Sequence, residues 1–277
     1  MTIGIIGLGL IGGSFALEMK RQRNRVIGFD KDSTNSAKAK ELNIVDEISD
    51  TAGLISKSDL IVLATPVQAI AELLPQVLDA INDRQMVMDL GSTKHNIVKN
   101  VSSHPGRGRY LACHPMAGTE FSGPEAAVPN LFRDAFMVIC DRRDTDSDVV
   151  EKLEMLFLAM GMEITSYHAE AHDMHAAYIS HISHISSFAL ALTVLEKEKN
   201  EEDIFKLAAG GFTSTVRLAK SAAETWTPIF AENRERVLDV LDAHMKHLGD
   251  FKKALEENDH PALNNLIHSA NRINKIV

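Results

Sequence analysis

The 277-residue chain has only two cysteines, Cys113 and Cys140, and the scarcity is informative. Their spacing matches no metal-ligand pattern, and two cysteines in a chain this long build no disulfide framework. A reducing, cytoplasmic setting is expected. Basic residues are not in excess: a net charge of −9 argues against nucleic acid or an anionic membrane surface as the main partner. No apolar run approaches the roughly 20 residues that span a bilayer. The first strand-like run starts at Thr2 with no charged n-region or cleavage site ahead of it, so neither a membrane span nor a signal peptide is expected. Internal repeats, low-complexity tracts and long linkers are missing as well. What remains is the composition of a globular protein long enough for two domains.

Up to residue 166, short apolar β-type runs alternate with helical segments. The runs are Ile3–Ile6, Arg25–Phe29, Leu60–Ala64, Met86–Leu90, Tyr110–Cys113, Phe136–Cys140 and Glu163–Ser166. Between them, Leu10–Arg21, Ser33–Glu41, Pro66–Ala80, Lys94–Asn100 and Ser147–Met160 read as helices. Several strands are apolar on both faces, as in a parallel sheet covered by helices on each side. The alternation predicts a Rossmann-type, doubly wound α/β domain over 1–166. After Tyr167 the texture changes. From His168 to Lys197 there is neither Gly nor Pro, and Glu201–Ala208, Ser214–Ser221, Glu224–Glu257 and Pro261–Lys275 continue the helical pattern, with a break at Gly210-Gly211. An all-helical domain is therefore expected over 167–277. Phe188–Leu195 is apolar on nearly every face, which predicts a helical homodimer interface.

Gly7-Leu8-Gly9-Leu10-Ile11-Gly12 follows the first strand directly and opens a helix. Gly7 suits the tight turn, Gly9 a close approach of a pyrophosphate, and Gly12 close helix–strand packing. The phosphates would sit at the helix N-terminus, where free amides and the dipole favour negative charge. Asp30 ends the second strand at the distance expected of a carboxylate that accepts the ribose hydroxyls and repels a 2′-phosphate. NAD is thus expected over NADP, although Lys31 could soften the preference. Ala64-Thr65-Pro66 and Asp89-Leu90-Gly91-Ser92-Thr93-Lys94 also end strands, and ligands bind beyond the carboxyl ends of such strands. Ser92 fits either a hydroxyl facing the nicotinamide or a helix N-cap.

His114 ends the strand Tyr110–Cys113 and is followed by Pro115 and Gly118, which keep the backbone out of a helix. It is placed to handle a proton in a cleft. His168, His172, His175, His181 and His184 crowd one helix with Ser180 and Ser183. Their i, i+3 spacings raise a metal site, but no acidic residue completes a ligand set. Ser180 and His184 share a face, with His181 beside them, and fit substrate hydrogen bonding better. Arg217 follows a Gly pair and hydroxyl residues; a carboxylate-binding turn and a surface salt bridge both fit.

Together these motifs resemble the prephenate/arogenate dehydrogenase family of tyrosine biosynthesis. The resemblance covers essentially the whole chain. It is carried by Gly7-x-Gly9-x-x-Gly12, Gly91-Ser92-x-Lys94, His114-Pro115-x-Ala117-Gly118, His172-Asp173, Ser180-His181-x-x-His184 and Gly210-Gly211-Phe212 with Arg217. It implies a Rossmann-type domain followed by a helical dimerisation domain, NAD as cofactor, and a small substrate, prephenate or arogenate. It implies that His114 meets the substrate's ring hydroxyl as acceptor or base, and that Ser92 bridges that hydroxyl and the nicotinamide. By the same resemblance Arg217 binds a substrate carboxylate, while Ser180, His181, His184 and Gly210 line the pocket and Glu120 stands near its mouth. Two departures stand out. Ser183 replaces a proline common in the family, and Ser214 stands where an acidic residue is common, which leaves the partner of Arg217 open.

The reaction implied is oxidative decarboxylation of prephenate to 4-hydroxyphenylpyruvate, with arogenate or dual specificity as the alternative; the missing acid at Ser214 favours prephenate. Because the imidazole must be neutral, activity is expected to rise through a pKa near roughly 6–7. A β-hydroxyacid-type dehydrogenase shares the architecture but relies on a lysine in its helical domain, and none occurs between His168 and Leu195. A non-catalytic NAD-binding sensor and a metal-dependent hydrolase are the remaining alternatives.

Overall fold

The computed structural model describes residues 1–198 and 204–276. β4 (Leu60–Leu63) and β5 (Met86–Asp89) are buried at every position, as strands must be when helices cover both faces of a sheet. With β1 (Thr2–Ile6), β2 (Arg25–Phe29), β3 (Glu47–Ile48), β6 (Tyr110–Pro115), β7 (Phe136–Cys140) and β8 (Glu163–Tyr167) they form one eight-stranded sheet in the order β3-β2-β1-β4-β5-β6-β7-β8. The crossover helices are α1 (Leu10–Arg21), α2 (Ser33–Glu41), α3 (Thr51–Lys57), α4 (Val67–Ala80), α5 (His95–Asn100) and, between β7 and β8, α6 (Ser147–Ala159). Alternate side chains feed two cores. Ile3, Ile5, Val62 and Leu111 point to one face, and Ile6, Leu63, Tyr110 and Ala112 to the other.

In the sheet half, two features differ from the sequence expectation. The sheet is not wholly parallel: β7 runs antiparallel to β6, pairing His114 with Val138 and Cys113 with Ile139. The chain from 116 to 135 holds only a one-turn 3-10 segment, Pro124–Ala126, and no crossover helix, so the strand after it returns from the same edge. β3 and α3 were not expected. A two-residue strand carries no periodicity, and α3 is a seven-residue helix announced mainly by Asp50, whose side chain accepts the Gly53 amide at 2.7 Å.

After β8 the described chain is helical. α7 (Ala169–Ala176), a π-helical turn (Ala177–His181) and α8 (Ile182–Glu198) run on without interruption. In the π turn the Ile182 amide reaches back five residues to the Ala177 carbonyl. By length and composition Ala169–Glu198 could cross a membrane, contrary to the sequence expectation. Its first half, however, places His172, Asp173 and His181 in buried polar contacts with the sheet domain and with Asn233. Residues 201–203 of the expected helix Glu201–Ala208 lie outside the described residues, and Ile204–Leu207 forms a 3-10 turn. The helical course is interrupted at 208–209, directly before Gly210-Gly211, and the glycines themselves open α9 (Gly210–Thr215), which is followed by a 3-10 turn at Arg217–Lys220. α10 (Ala223–Glu232), α11 (Arg234–Glu256) and α12 (His260–Ala270) complete the fold. Ile229 and Trp226 of α10 pack on the sheet face that carries Tyr110 and Ala112. Strand alternation puts His114 on that face too, which brings it to the helical half.

Candidate active site

The glycine loop has the shape of a phosphate cradle. Gly7 has φ +98°, and a Cβ there would lie 2.6 Å from the Ala64 carbonyl oxygen. A Cβ on Gly12 would fall 1.9 Å from the Gly7 oxygen, so α1 can approach the turn only because the residue is glycine. At Gly9 nothing lies within 4 Å of a Cβ position, and no side chain caps α1 there. The first-turn amides are left for an anion. Leu8 is fully buried and anchors the loop, whereas Leu10 and Ile11 are half-buried at the start of α1. Asp30 Oδ2 accepts the Leu8 amide at 2.8 Å and Oδ1 the Asp32 amide at 2.9 Å, which fixes the carboxylate beside the loop; Lys31 is exposed. Thr65 Oγ1 is buried without a protein partner, and Pro66 occupies the position before α4. An open glycine cradle, free helix amides, a fixed carboxylate and an orphaned hydroxyl fit a dinucleotide.

At the carboxyl ends of β5 and β6 a buried polar cluster supports the next loop. Asp89 and Lys94 are both fully buried and form an ion pair. Asp89 also accepts the Tyr110 hydroxyl at 2.6 Å and the Gly91 amide at 2.9 Å. Ser92, half-buried, is carried on this loop. It is not the cap of α5, which starts at His95 with Lys94 in the capping position. The cap comes from the helical half: Asp173 of α7 accepts the Lys94 amide at 2.7 Å and the His95 amide at 2.8 Å. Asp173 is 1% exposed, so these bonds decide its state. Burial works against the charge, but the His172 ring and the two amides outweigh it and hold the carboxyl below its ordinary pKa.

His114 Nδ1 lies 2.8 Å from His172 Nε2 with the rings edge to face, and His172 Nδ1 lies 2.8 Å from Asp173 Oδ1. Burial, reinforced by His172, Lys94 and His181, pushes the His114 pKa well below 6.5. Its neutral form therefore extends to lower pH than the sequence alone suggested.

On the helical side, burial lowers His181 to about 4. Asn233 Nδ2 donates to the Asp173 carbonyl at 2.7 Å and faces His181 Nδ1 at 3.3 Å. His184 Nδ1 meets the Ser180 carbonyl at 3.0 Å, and its ring stacks on Trp226 with centroids 3.4 Å apart. Burial lowers its pKa as well, and the Arg217 charge acts in the same direction. The Ser183 hydroxyl donates to the Ile179 carbonyl at 2.9 Å, so it serves the π turn and not the pocket. Arg217 meets Glu120 Oε2 at 3.5 Å across the two halves. The Ser214 hydroxyl donates to the Gly211 carbonyl at 2.9 Å, and Gly210 is exposed. The partner left open by Ser214 is thus Glu120.

The structure brings His114 together with His172 and Asp173, a pair that the sequence offered as a family motif without a role in the site. Trp226 and Asn233 were not expected there. Trp226 is the one tryptophan of the chain, and that was its only signal.

Residues 15–166 match the family model for the prephenate dehydrogenase nucleotide-binding domain, and residues 168–269 match that for the prephenate dehydrogenase dimerization domain. The chain is 30% identical over 263 residues to prephenate dehydrogenase of Bacillus subtilis, covering 93% of this chain and 71% of that protein. It is also 30% identical over 261 residues to cyclohexadienyl dehydrogenase of Zymomonas mobilis, covering 93% and 89%. The crystal structure of prephenate dehydrogenase from A. aeolicus in complex with hydroxyphenyl propionate and NAD+ superposes with a TM-score of 0.89 at 28% identity, over 100% of this chain and 98% of that one. With both halves matched in order around a dinucleotide cradle and a histidine-lined edge, the chain belongs to the prephenate dehydrogenase family.

Proposed function

We propose that the protein catalyses NAD-dependent oxidative decarboxylation of prephenate to 4-hydroxyphenylpyruvate. The observation that carries this reading is His114. It sits on the ligand-binding edge next to the dinucleotide cradle, neutral, with Nδ1 engaged by His172 and Nε2 left for a substrate. When bound, NAD supplies the hydride acceptor. The side chains do the rest. His114 Nε2 accepts the ring hydroxyl proton, and Ser92 orients that hydroxyl. Arg217 holds a substrate carboxylate, with Glu120 fixing the guanidinium until substrate arrives. Ser180, His181, His184 and Gly210 line the helical wall of the pocket. The ring carboxylate leaves as carbon dioxide, and aromatisation drives the step.

Residues 1–166 serve as the nucleotide-binding domain and 167–277 as the substrate and dimerisation domain. Tyr178, Ile179, Leu192 and Leu195 on the long helix are exposed in the protomer, as are Leu238, Met245 and Leu248 of α11. Apolar faces of this extent support a homodimer through the helical domain. The enzyme acts in the cytoplasm on a small molecule, without nucleic acid or membrane as partner.

A second reading, arogenate or dual specificity, is favoured by Glu120. Its carboxylate beside Arg217 offers an acidic contact to an ammonium that Ser214 does not. The Zymomonas relative carries the name cyclohexadienyl dehydrogenase.

The test is NADH absorbance with prephenate and with arogenate, for the wild type and His114→Asn. Turnover with prephenate is expected to fall on the order of 10²–10⁴-fold in the variant. The acid limb of wild-type kcat/KM is expected below pH 6.5, because the His114 pKa is lowered. Normal NAD binding with no turnover of either substrate would favour a non-catalytic sensor, and an unaffected His114→Asn would remove the histidine from the mechanism.

A further inference from the structure

A base is useful only if its lone pair faces the proton, and a neutral imidazole has two tautomers of which one is wrong. We propose that Asp173 and His172 are positioning residues that lock His114 in the Nδ1–H tautomer, so that the Nε2 lone pair faces the substrate hydroxyl. The proposal rests on His114 being the group that meets that hydroxyl.

The direction of every proton in the chain follows from one end. The Asp173 carboxylate already accepts two backbone amides, from Lys94 and His95, and can only accept again. His172 Nδ1, 2.8 Å from Asp173 Oδ1, must therefore donate. A neutral His172 then has a bare Nε2, which accepts from His114 Nδ1 at 2.8 Å. That leaves His114 Nε2 without a proton. The other charged or titratable groups facing His114 do not supply a competing acceptor. The Lys94 ammonium is bound to Asp89, and His181 Nδ1 is turned to Asn233. When His114 takes up a proton, the His172 lone pair remains bonded to the new imidazolium, and the Asp173 charge stands one ring away.

The same carboxylate does a second job. Its two amide bonds go to the residues that follow Ser92 and Thr93, so the tautomer of His114 and the seat of the Ser92 loop depend on one side chain. That side chain sits on the helical half, and Asn233 holds its backbone carbonyl from the N-cap of α11.

The decisive measurement is ¹⁵N NMR of histidine-labelled, NAD-bound protein, with His114→Asn identifying the His114 signals. His114 is expected to show a protonated Nδ1 and a pyridine-type Nε2, and His172 a protonated Nδ1 and a pyridine-type Nε2. A protonated Nε2 on a neutral His114, or a doubly protonated His172, would overturn the proposal. Neither reading needs turnover, so failure here is separable from failure to act on prephenate. Two variants give the kinetic counterpart. His172→Gln places an amide oxygen near the old Nε2 and keeps an acceptor for His114, whereas His172→Phe fills the volume without one. kcat is expected to fall 10–100-fold more in His172→Phe than in His172→Gln, with NAD affinity unchanged, as for other lost orienting partners. A merely structural role reverses that order, because the ring is the better space filler.

Discussion

Replacing Lys94 by methionine tests whether the buried polar cluster under the site holds the nucleotide half together. The substitution conserves length and removes the charge. Lys94 and Asp89 are both completely shielded from solvent, so the Asp89 carboxylate cannot recruit water when its cation leaves. Removing one partner of such a pair costs roughly 3–5 kcal/mol. Asp89 keeps the Tyr110 hydroxyl and the Gly91 amide at hydrogen-bonding distance, with the Cys113 amide further off at 3.4 Å. These donors place the expected loss near the lower end, about 3 kcal/mol. Adding Asp89→Asn removes the stranded charge, so the double variant is expected to recover about half of that loss. The assay is urea unfolding at one fixed protein concentration, since the stability of any self-associating protein depends on it. A Lys94→Met protein within 1 kcal/mol of wild type, or a double variant as weak as the two single losses added, would refute the reasoning.

Arg217→Gln is expected to raise KM for prephenate at least tenfold while leaving kcat within a few-fold, because a carboxylate contact is shared by ground and transition states. A turnover defect at unchanged KM would speak for a different role. Acid should destabilise the fold through its buried neutral histidines. His181 protonates at its ordinary 6.5 in the unfolded chain but only near 4 in the fold. The unfolded state therefore binds more protons below pH 6.5, and His181 stabilises the fold fully above that pH. Its contribution is lost progressively between pH 6.5 and 4, on the order of 3 kcal/mol in all. Melting temperatures at pH 7.5 and 4.5 should fall less for His181→Gln than for wild type; equal falls would exclude His181 as a source of the slope.

How far the sequence could be read depended on whether the information was local. The β1–turn–α1 unit was legible because Gly7, Gly9 and Gly12 each answer a steric demand of the backbone at that point. Strands β4 and β5 were legible because burial on both faces leaves an unbroken apolar run. The direction of β7 was not, since side-chain alternation is the same for parallel and antiparallel pairing; only the absence of a helix before Phe136 hinted at it. The π turn at Ala177–His181 has no compositional mark, and the glycines at 210 and 211 suggested a break where the chain starts a helix. In the candidate site, His114 stood out by chemical type in a shaped loop, whereas Arg217 on its residues alone fitted a surface salt bridge as well as a carboxylate-binding turn. Asp173 was visible as part of a family motif, but its task was not, because that task is defined by two amides about eighty residues earlier in the chain. Glu120 was expected near the pocket mouth but not as the partner of Arg217, which lies 97 positions away.

The reversal of β7 has a consequence for how such an enzyme can change over evolutionary time. Because β6 ends and β7 begins at the same rim of the sheet, the segment 116–135 has both its ends fixed there; its later part packs on α1, where the Val128 amide bonds Ser14 and the Phe132 ring meets Phe15, whereas residues 118–122 stay largely exposed. Lengthening a loop anchored in this way is cheap, about 0.6 kcal/mol for each doubling. Glu120 belongs to that segment, whereas His114 belongs to the strand before it. Glu120, the partner of Arg217, can thus be moved or replaced by insertion or deletion while His114 stays in register on β6, so the charge beside Arg217 can change without the strand edge being built anew.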